Sequence, residues 1–253
     1  MSSRKETFEV GGSVRVIAST RSGDIAVVSG PGGILEVTVD GPGASNYEID
    51  QLGDVITVEP RRRGRFAASS ADVVLTVPES ASLELSCTSG DINVQCDVDE
   101  LRASVASGDI RTGSVRGVFR VNSASGDIKA ESVMDAEVNT ASGTVRIGRV
   151  LRNIRLNAAS GNVYVDEVGE SAICKVASSD VRIGAFTGTE VRHKSMSGDL
   201  HLGIPPRRTI ELDFSSVSGR LRNRLPQGDG GPSEKLLTIS VNAVSGDLTL
   251  KGA

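Results

Sequence analysis

The chain has 253 residues, 38% of them hydrophobic, with no Trp, two Tyr and five Phe, and a formal charge of −4. Such a balance gives no overall attraction to nucleic acid or anionic lipid, and an aromatic-poor core must be built from Val, Ile, Leu and Ala. Three cysteines, Cys87, Cys96 and Cys174, show no CxxC spacing; an odd count argues against a disulfide framework and for reduced, structural thiols.

The opening "MSSRKETFEV" lacks an apolar h-region, and no stretch approaches the ~20 apolar residues of a membrane span. A cytoplasmic protein is expected, with any membrane attachment made through a partner. Val16, Ala18, Thr20, Ser22, Gly23, Ile25 and Val27 then set out a pattern that recurs along the chain. Strand-like runs follow at 34–39 ("ILEVTV"), 54–58 ("DVITV") and 72–77 ("DVVLTV"), separated by Gly/Pro-rich stretches and by "RRRGRFAASS". They read as irregular coils with loop insertions over 1–82.

From residue 83 the pattern becomes regular. The triad Ser-Gly-Asp stands at Ser89, Gly90, Asp91, at Ser107, Gly108, Asp109 and at Ser125, Gly126, Asp127. Looser copies centre on Gly143, Gly161, Ser179, Gly198, Gly219 and Gly246. An interval near 18 residues is the signature of a solenoid, one supersecondary unit per repeat. Numbered from the central residue of the triad, column −7 holds Leu83, Leu101, Phe119, Ala136 and Ile154, and column −5 holds Leu85, Ala103, Val121, Val138 and Leu156. Column +2 holds Ile92, Ile110, Ile128, Val145 and Val163. Alternation with polar residues is period 2 and β-branched, so each repeat is two short strands joined at a corner.

These columns predict an all-β, parallel β-solenoid, right-handed and β-helix-like, with ~18-residue coils stacked about 4.8 Å apart. A left-handed hexapeptide helix fails, because stepping by six from Ile110 meets Arg116 and Asn122. The regular repeats span 83–223, "RLPQGDGGPSEKL" around 224–236 reads as a flexible loop, and 237–253 as the final coil of one 1–253 domain. In this reading Ser at −1 faces inward as a hydroxyl ladder, Gly makes the bend, and Asp at +1 forms an outward stripe. A basic column two residues on, including Arg111, Lys129, Arg146 and Arg182, and corner N–H groups relieve its repulsion. Asn122, Asn139 and Asn157 at −4 predict stacked amides, and Ala106, Ala124, Ala141, Ala159 and Ala177 at −2 a small-residue seam. His193 falls in an inward column and is expected to be a hydrogen-bonded core histidine.

The repeated "ASGDI", the segments "LTVPESASLELSCTSGDI" (75–92) and "LGIPPRRTIELDFSSVSGRL" (202–221), and "VSGDLTLKG" (244–252) resemble the bacterial adhesin-like β-strand-repeat family, also called the toastrack family. The resemblance runs over nearly the whole chain and implies a non-enzymatic β-solenoid with an adhesin-like, envelope-associated role. It carries over no catalytic residue, cofactor or metal. The principal expectation is therefore a non-catalytic scaffold for protein–protein or envelope-associated assembly, meeting a protein partner or a second copy through a ladder face or a solenoid end. Two alternatives stand beside it. One is a polyanion or anionic-lipid binder through Arg207, Arg208, Arg220, Arg222 and Arg224, with Arg61, Arg62, Arg63 and Arg65 as a second patch. The other is a bactofilin-like protein polymerising end to end from a coil that finishes at "LTLKGA". An enzymatic reading of Asp180, Arg182, Asp199 and His201 is disfavoured, since the repeat explains each.

Overall fold

The computed structural model describes residues 2–61, 70–226 and 235–253. They fall into two compact units, 1–130 and 131–253. Both are built almost wholly of strand, with a single 3-10 turn at Ala44–Asn46 among the described residues.

The first unit holds β1 (Ser3–Glu9), β2 (Val14–Ser22), β3 (Ile25–Ser29), β4 (Ile34–Asp40), β5 (Tyr47–Leu52) and β6 (Val55–Pro60). After these come β7 (Asp72–Val77), β8 (Ala81–Ser89), β9 (Ile92–Val94), β10 (Glu100–Ser107) and β11 (Ile110–Ser125). The strand β12 (Ile128–Ser142) carries the chain into the second unit. There follow β13 (Val145–Val150), β14 (Asn153–Ser160), β15 (Val163–Val168), β16 (Ser171–Ser178), β17 (Val181–Phe186), β18 (Glu190–Ser197) and β19 (Leu200–Ile204). The last are β20 (Arg208–Ser216), β21 (Leu221–Arg224), β22 (Lys235–Ser245) and β23 (Leu248–Gly252).

Each coil lies parallel on its neighbour in the register the columns require. Leu85 faces Ala103 and Ala103 faces Val121 in the first unit. Leu156, Cys174, His193 and Val241 form one row in the second. Columns −7, −5, +2 and +4 are buried except on the rung that carries Leu212, Phe214, Leu221 and Asn223, and a further inward column, Val150, Val168 and Phe186, closes the coil on its third side. A one-residue slip would turn every one of these side chains outward, so burial holds the register.

The order of coils in space departs from their order in sequence. In the second unit β18–β19 pairs not with β20–β21, which follows it in the chain, but with β22–β23. The outer rung is β20–β21, which packs on the far side of β22–β23. The coil that ends the chain is thus internal, which corrects the expectation that "LTLKGA" closes the stack. The first unit repeats the device: β2–β3 lies between β8–β9 on one side and β6–β7 on the other.

Of the three early strand-like runs, "DVITV" and "DVVLTV" do make a coil, β6–β7. The run "ILEVTV" becomes β4, antiparallel to both β1 and β7, and β5 is antiparallel to β6. Of the expected loop at 224–236, Arg224 belongs to β21 and Lys235 and Leu236 to β22; residues 227–234 lie outside the described residues, as do 62–69.

Candidate functional site: corner ladders and a basic hollow

Gly108 shows what the corner requires. Its φ is 143°, and a Cβ placed there would lie 2.0 Å from the carbonyl oxygen of Gly90 one rung earlier. No side chain fits that gap, so glycine is needed for close approach as well as for conformation. Among the described residues the first rung of the parallel stack has no earlier parallel rung to meet, and there the corner reads Ser70, Ala71, Asp72, paired through Val73 with Ile25. This copy was hidden in the sequence by its alanine.

The Asp stripe is a hydrogen-bond ladder. Asp91 N–H donates to Asp24 Oδ1, Asp109 N–H to Asp91 Oδ1 and Asp127 N–H to Asp109 Oδ1, each at 2.8 Å. In the second unit Asp199 N–H donates to Asp180 Oδ1 and Asp247 N–H to Asp199 Oδ1, again at 2.8 Å. Arg220 N–H then donates to Asp247 Oδ1 at 2.9 Å. Asp24, Asp91, Asp109, Asp180, Asp199 and Asp247 thus each serve the following rung, while Thr144 and Asn162 take the same position between the two runs. Arg220 stands on the outer rung, where among the described residues no N–H follows to be served, and that explains the change from "SGD" to "SGR". The basic column assists as expected: Arg111 reaches Asp109 at 2.7 Å and Asp91 at 3.8 Å.

The serines differ from expectation. From Ser22 to Ser245 every copy at −1 is exposed or half-exposed, because the bend turns both −2 and −1 outward before the glycine. Their hydroxyls reach along the outside, Ser125 to the Ala106 carbonyl at 3.3 Å and Ser160 to the Ala141 carbonyl at 3.1 Å. The last inward column is −3, where Ser123 and Ser195 are buried without a partner. Asn157 Nδ2 donates to Asn139 Oδ1 at 2.7 Å, forming the expected amide stack. A second polar ladder escaped the columns: Asn153 donates to Asp135 at 2.9 Å, and Ser171 to Asn153 at 2.7 Å.

Among the described residues no cluster of His, Cys, Asp or Glu is arranged to hold a metal ion. The three thiols are free and buried. Burial, with a contribution from Asp24, pushes Cys87 up to about 11, and burial alone pushes Cys174 up to about 12. His193 is 1% exposed, and neither ring nitrogen has a partner, in contrast to the hydrogen-bonded histidine expected. Desolvation lowers its pKa from 6.5 to about 4.

The structure separates the five candidate arginines. Arg208 donates to the carbonyls of Thr187 and Gly188, clasping β20 onto the loop between β17 and β18. Arg207 occupies the turn before β20 with φ 62°, and Arg220 joins the corner ladder through its main chain. Arg222 and Arg224 instead meet Arg182, His201, Thr249 and Lys251 around a hollow of about 320 Å³. Arg222 pairs with Asp247 Oδ2 at 2.8 Å. In the second patch Arg61 pairs with Glu48 at 3.1 Å, and Arg62, Arg63 and Arg65 lie outside the described residues.

The parallel rungs, the glycine corners and the carboxylate ladder define a β-repeat solenoid protein. The family model Toastrack DUF4097 matches residues 36–251, and the chain belongs to that family. A solved structure described as a "putative adhesin", from Parabacteroides merdae, is similar at 12% identity and TM-score 0.53, covering 97% of this chain and 95% of its own. Another so described, from Bacteroides fragilis, is similar at 12% identity and TM-score 0.48, covering 98% and 97%. At this identity the likeness is one of fold. No curated protein matches the sequence.

Two predictions follow from the ladder and the buried histidine. Asp109→Ala is expected to cost about 1–2 kcal/mol of stability by leaving the Asp127 N–H without its acceptor, Asp109→Asn less than that, and Arg220→Ala under about 0.5 kcal/mol. Urea unfolding of the three variants measures this. In the unfolded chain His193 titrates near 6.5 and in the folded one near 4, so between those values the unfolded state binds more protons. Stability should therefore fall as pH drops through that window, by up to ~3 kcal/mol from this residue, and be unaffected by it above. His193→Val should remove that part of the slope, measured as the difference between urea midpoints of variant and parent at pH 7 and at acid pH.

Proposed function

We propose that the protein is a non-catalytic, adhesin-like scaffold that binds another protein along the exposed flank of its second unit. The observation that carries this reading is a row of apolar residues at column −2. Val244 on β22 neighbours Met196 on β18 and Val217 on the outer rung, as the pairings on either side of them require. These three are 66% (Met196), 56% (Val244) and 84% (Val217) exposed. Large apolar side chains are commonly exposed singly; three on adjacent rungs make a straight ridge. Serines 197, 245 and 218 border it on one side and Lys194, Asn242 and Ser215 on the other. An apolar line with a polar rim is the anatomy of a protein contact.

The corner chemistry supports a structural role for the repeated Ser, Gly and Asp, since their polar atoms are used between rungs. Copy-to-copy continuation of the ladder is the weaker reading. The edge rung intersperses Arg208, Glu211, Asp213, Arg222 and Arg224 among apolar residues, which blunts strand addition, while β1 is paired antiparallel. No helix of the described residues is long and apolar enough to cross a membrane. We take the cytoplasm as its compartment, in keeping with free, buried thiols.

Cross-linking in the cells that make the protein, followed by mass spectrometry, tests the reading. One protein cross-linked beside Met196, Val217 and Val244, and lost in Val217→Asp/Val244→Asp at unchanged thermal stability, is the expected result. The same partner retained by that variant would overturn it.

A further inference from the structure

We propose that the basic hollow across the last four rungs of the second unit is a binding site for a phosphate-bearing anion. It is independent of the apolar ridge. Four strands build it. Arg182 on β17 faces His201 on β19, His201 faces Thr249 on β23, and Thr249 faces Arg222 on β21. Lys251 and Arg224 face each other one step outward, two residues further along the same strands. At about 4.8 Å per rung, Arg182 and Arg222 stand about 14 Å apart along the row. Alternate residues of a strand share a face, so the two rows open on the same side.

Three of the four cations that line this hollow are left uncompensated by the fold, Arg222 being the exception. No carboxylate is among the six residues that line it. Asp247 serves Arg222 with one oxygen and the Arg220 N–H with the other. Asp180 and Asp199, which precede Arg182 and His201 by two residues, each give an oxygen to the next rung's N–H. Among the described residues Arg182, Arg224 and Lys251 make no ion pair, whereas Arg111 in the same column of the first unit is held by two aspartates. Lys251 and Arg224 are direct lateral neighbours, and like charges about 4.8 Å apart repel. A bound anion relieves that repulsion.

The donor set favours a phosphoryl group. Guanidinium forks match the paired oxygens of phosphate, the ammonium of Lys251 adds a point charge, and the Thr249 hydroxyl and His201 ring offer hydrogen bonds between them. Three cations around one hollow suit a group with several equivalent acceptor oxygens. A volume of about 320 Å³ falls at the lower end of small-ligand sites, roughly 300–1,000 Å³. Soluble phosphates and phospholipid heads share this phosphoryl chemistry, and the test separates the two sources.

Full-length protein is titrated with pyrophosphate by calorimetry at low ionic strength, and sedimented with phosphatidylcholine vesicles with and without phosphatidylglycerol. Arg182→Ala/Arg224→Ala/Lys251→Ala is compared with Arg155→Ala/Lys175→Ala/Lys194→Ala, which removes three exposed cations outside the hollow. Thermal melts check that both variants fold. The site variant should bind at least about tenfold more weakly and the control within about twofold. Pyrophosphate binding alone assigns a soluble ligand, and binding that needs phosphatidylglycerol assigns a headgroup. The proposal is overturned if neither probe binds, if the site variant binds like the parent, or if both variants weaken binding equally.

Discussion

At most corners a carbonyl oxygen of one rung rests against the glycine Cα of the next, and in the aspartate-bearing runs a carboxylate of the same rung accepts that next rung's N–H. These two contacts set the spacing and register on which the rest depends. The carboxylate holds its bond at 2.8 Å from Asp24 through Asp109 and again from Asp180 through Asp199. With the corners locked, the alternation of each strand delivers Val, Ile and Leu to the interior. A chain almost without aromatic residues can then fill its core through repetition.

The ladder also has a direction. Each rung needs a glycine for the rung before it and an aspartate for the rung after it. Thr144, Asn162 and Ser179 depart from this rule inside the stack, and two further departures stand where, among the described residues, one of these neighbours is missing. Ala71 replaces glycine on the first rung of the parallel stack, and Arg220 replaces aspartate on the outer rung of the second unit. Unlike the internal departures, these two fall at the boundaries of the parallel ladder.

This bears on what could be read from residues alone. The coil, its columns and the Asp ladder were legible because a period near 18 and an alternation of two recur many times over. Rung order was not, since any coil with matching columns can stack on any other, and sequence adjacency does not choose between them. A signal was present in the longer step from Gly219 to Gly246 and in Arg220 itself. The serine direction was misjudged because strict alternation was carried one residue too far into the bend. The basic hollow was half visible: Arg222 and Arg224 were singled out, but Arg182, His201 and Lys251 join them only once β22–β23 is inserted beside β20–β21. Arg208, grouped with them by proximity in sequence, is occupied with carbonyls instead. Both candidate surfaces thus arise near the outer rung, where the repeat's internal pairing runs out.

Rung order is the claim on which the hollow and the ridge both stand, and amide hydrogen exchange tests it most directly. The Leu248 N–H donates to the Arg220 carbonyl across the interface between the chain-final coil and the outer rung, whereas the Leu221 N–H has no following rung to meet among the described residues. Exchange at Leu248 and through β22–β23 should therefore be slow, with Leu221 and β21 exchanging as an edge. Fast exchange through β22–β23 with protection across β20–β21 would mean that the coils stack in sequence order, and would contradict the account.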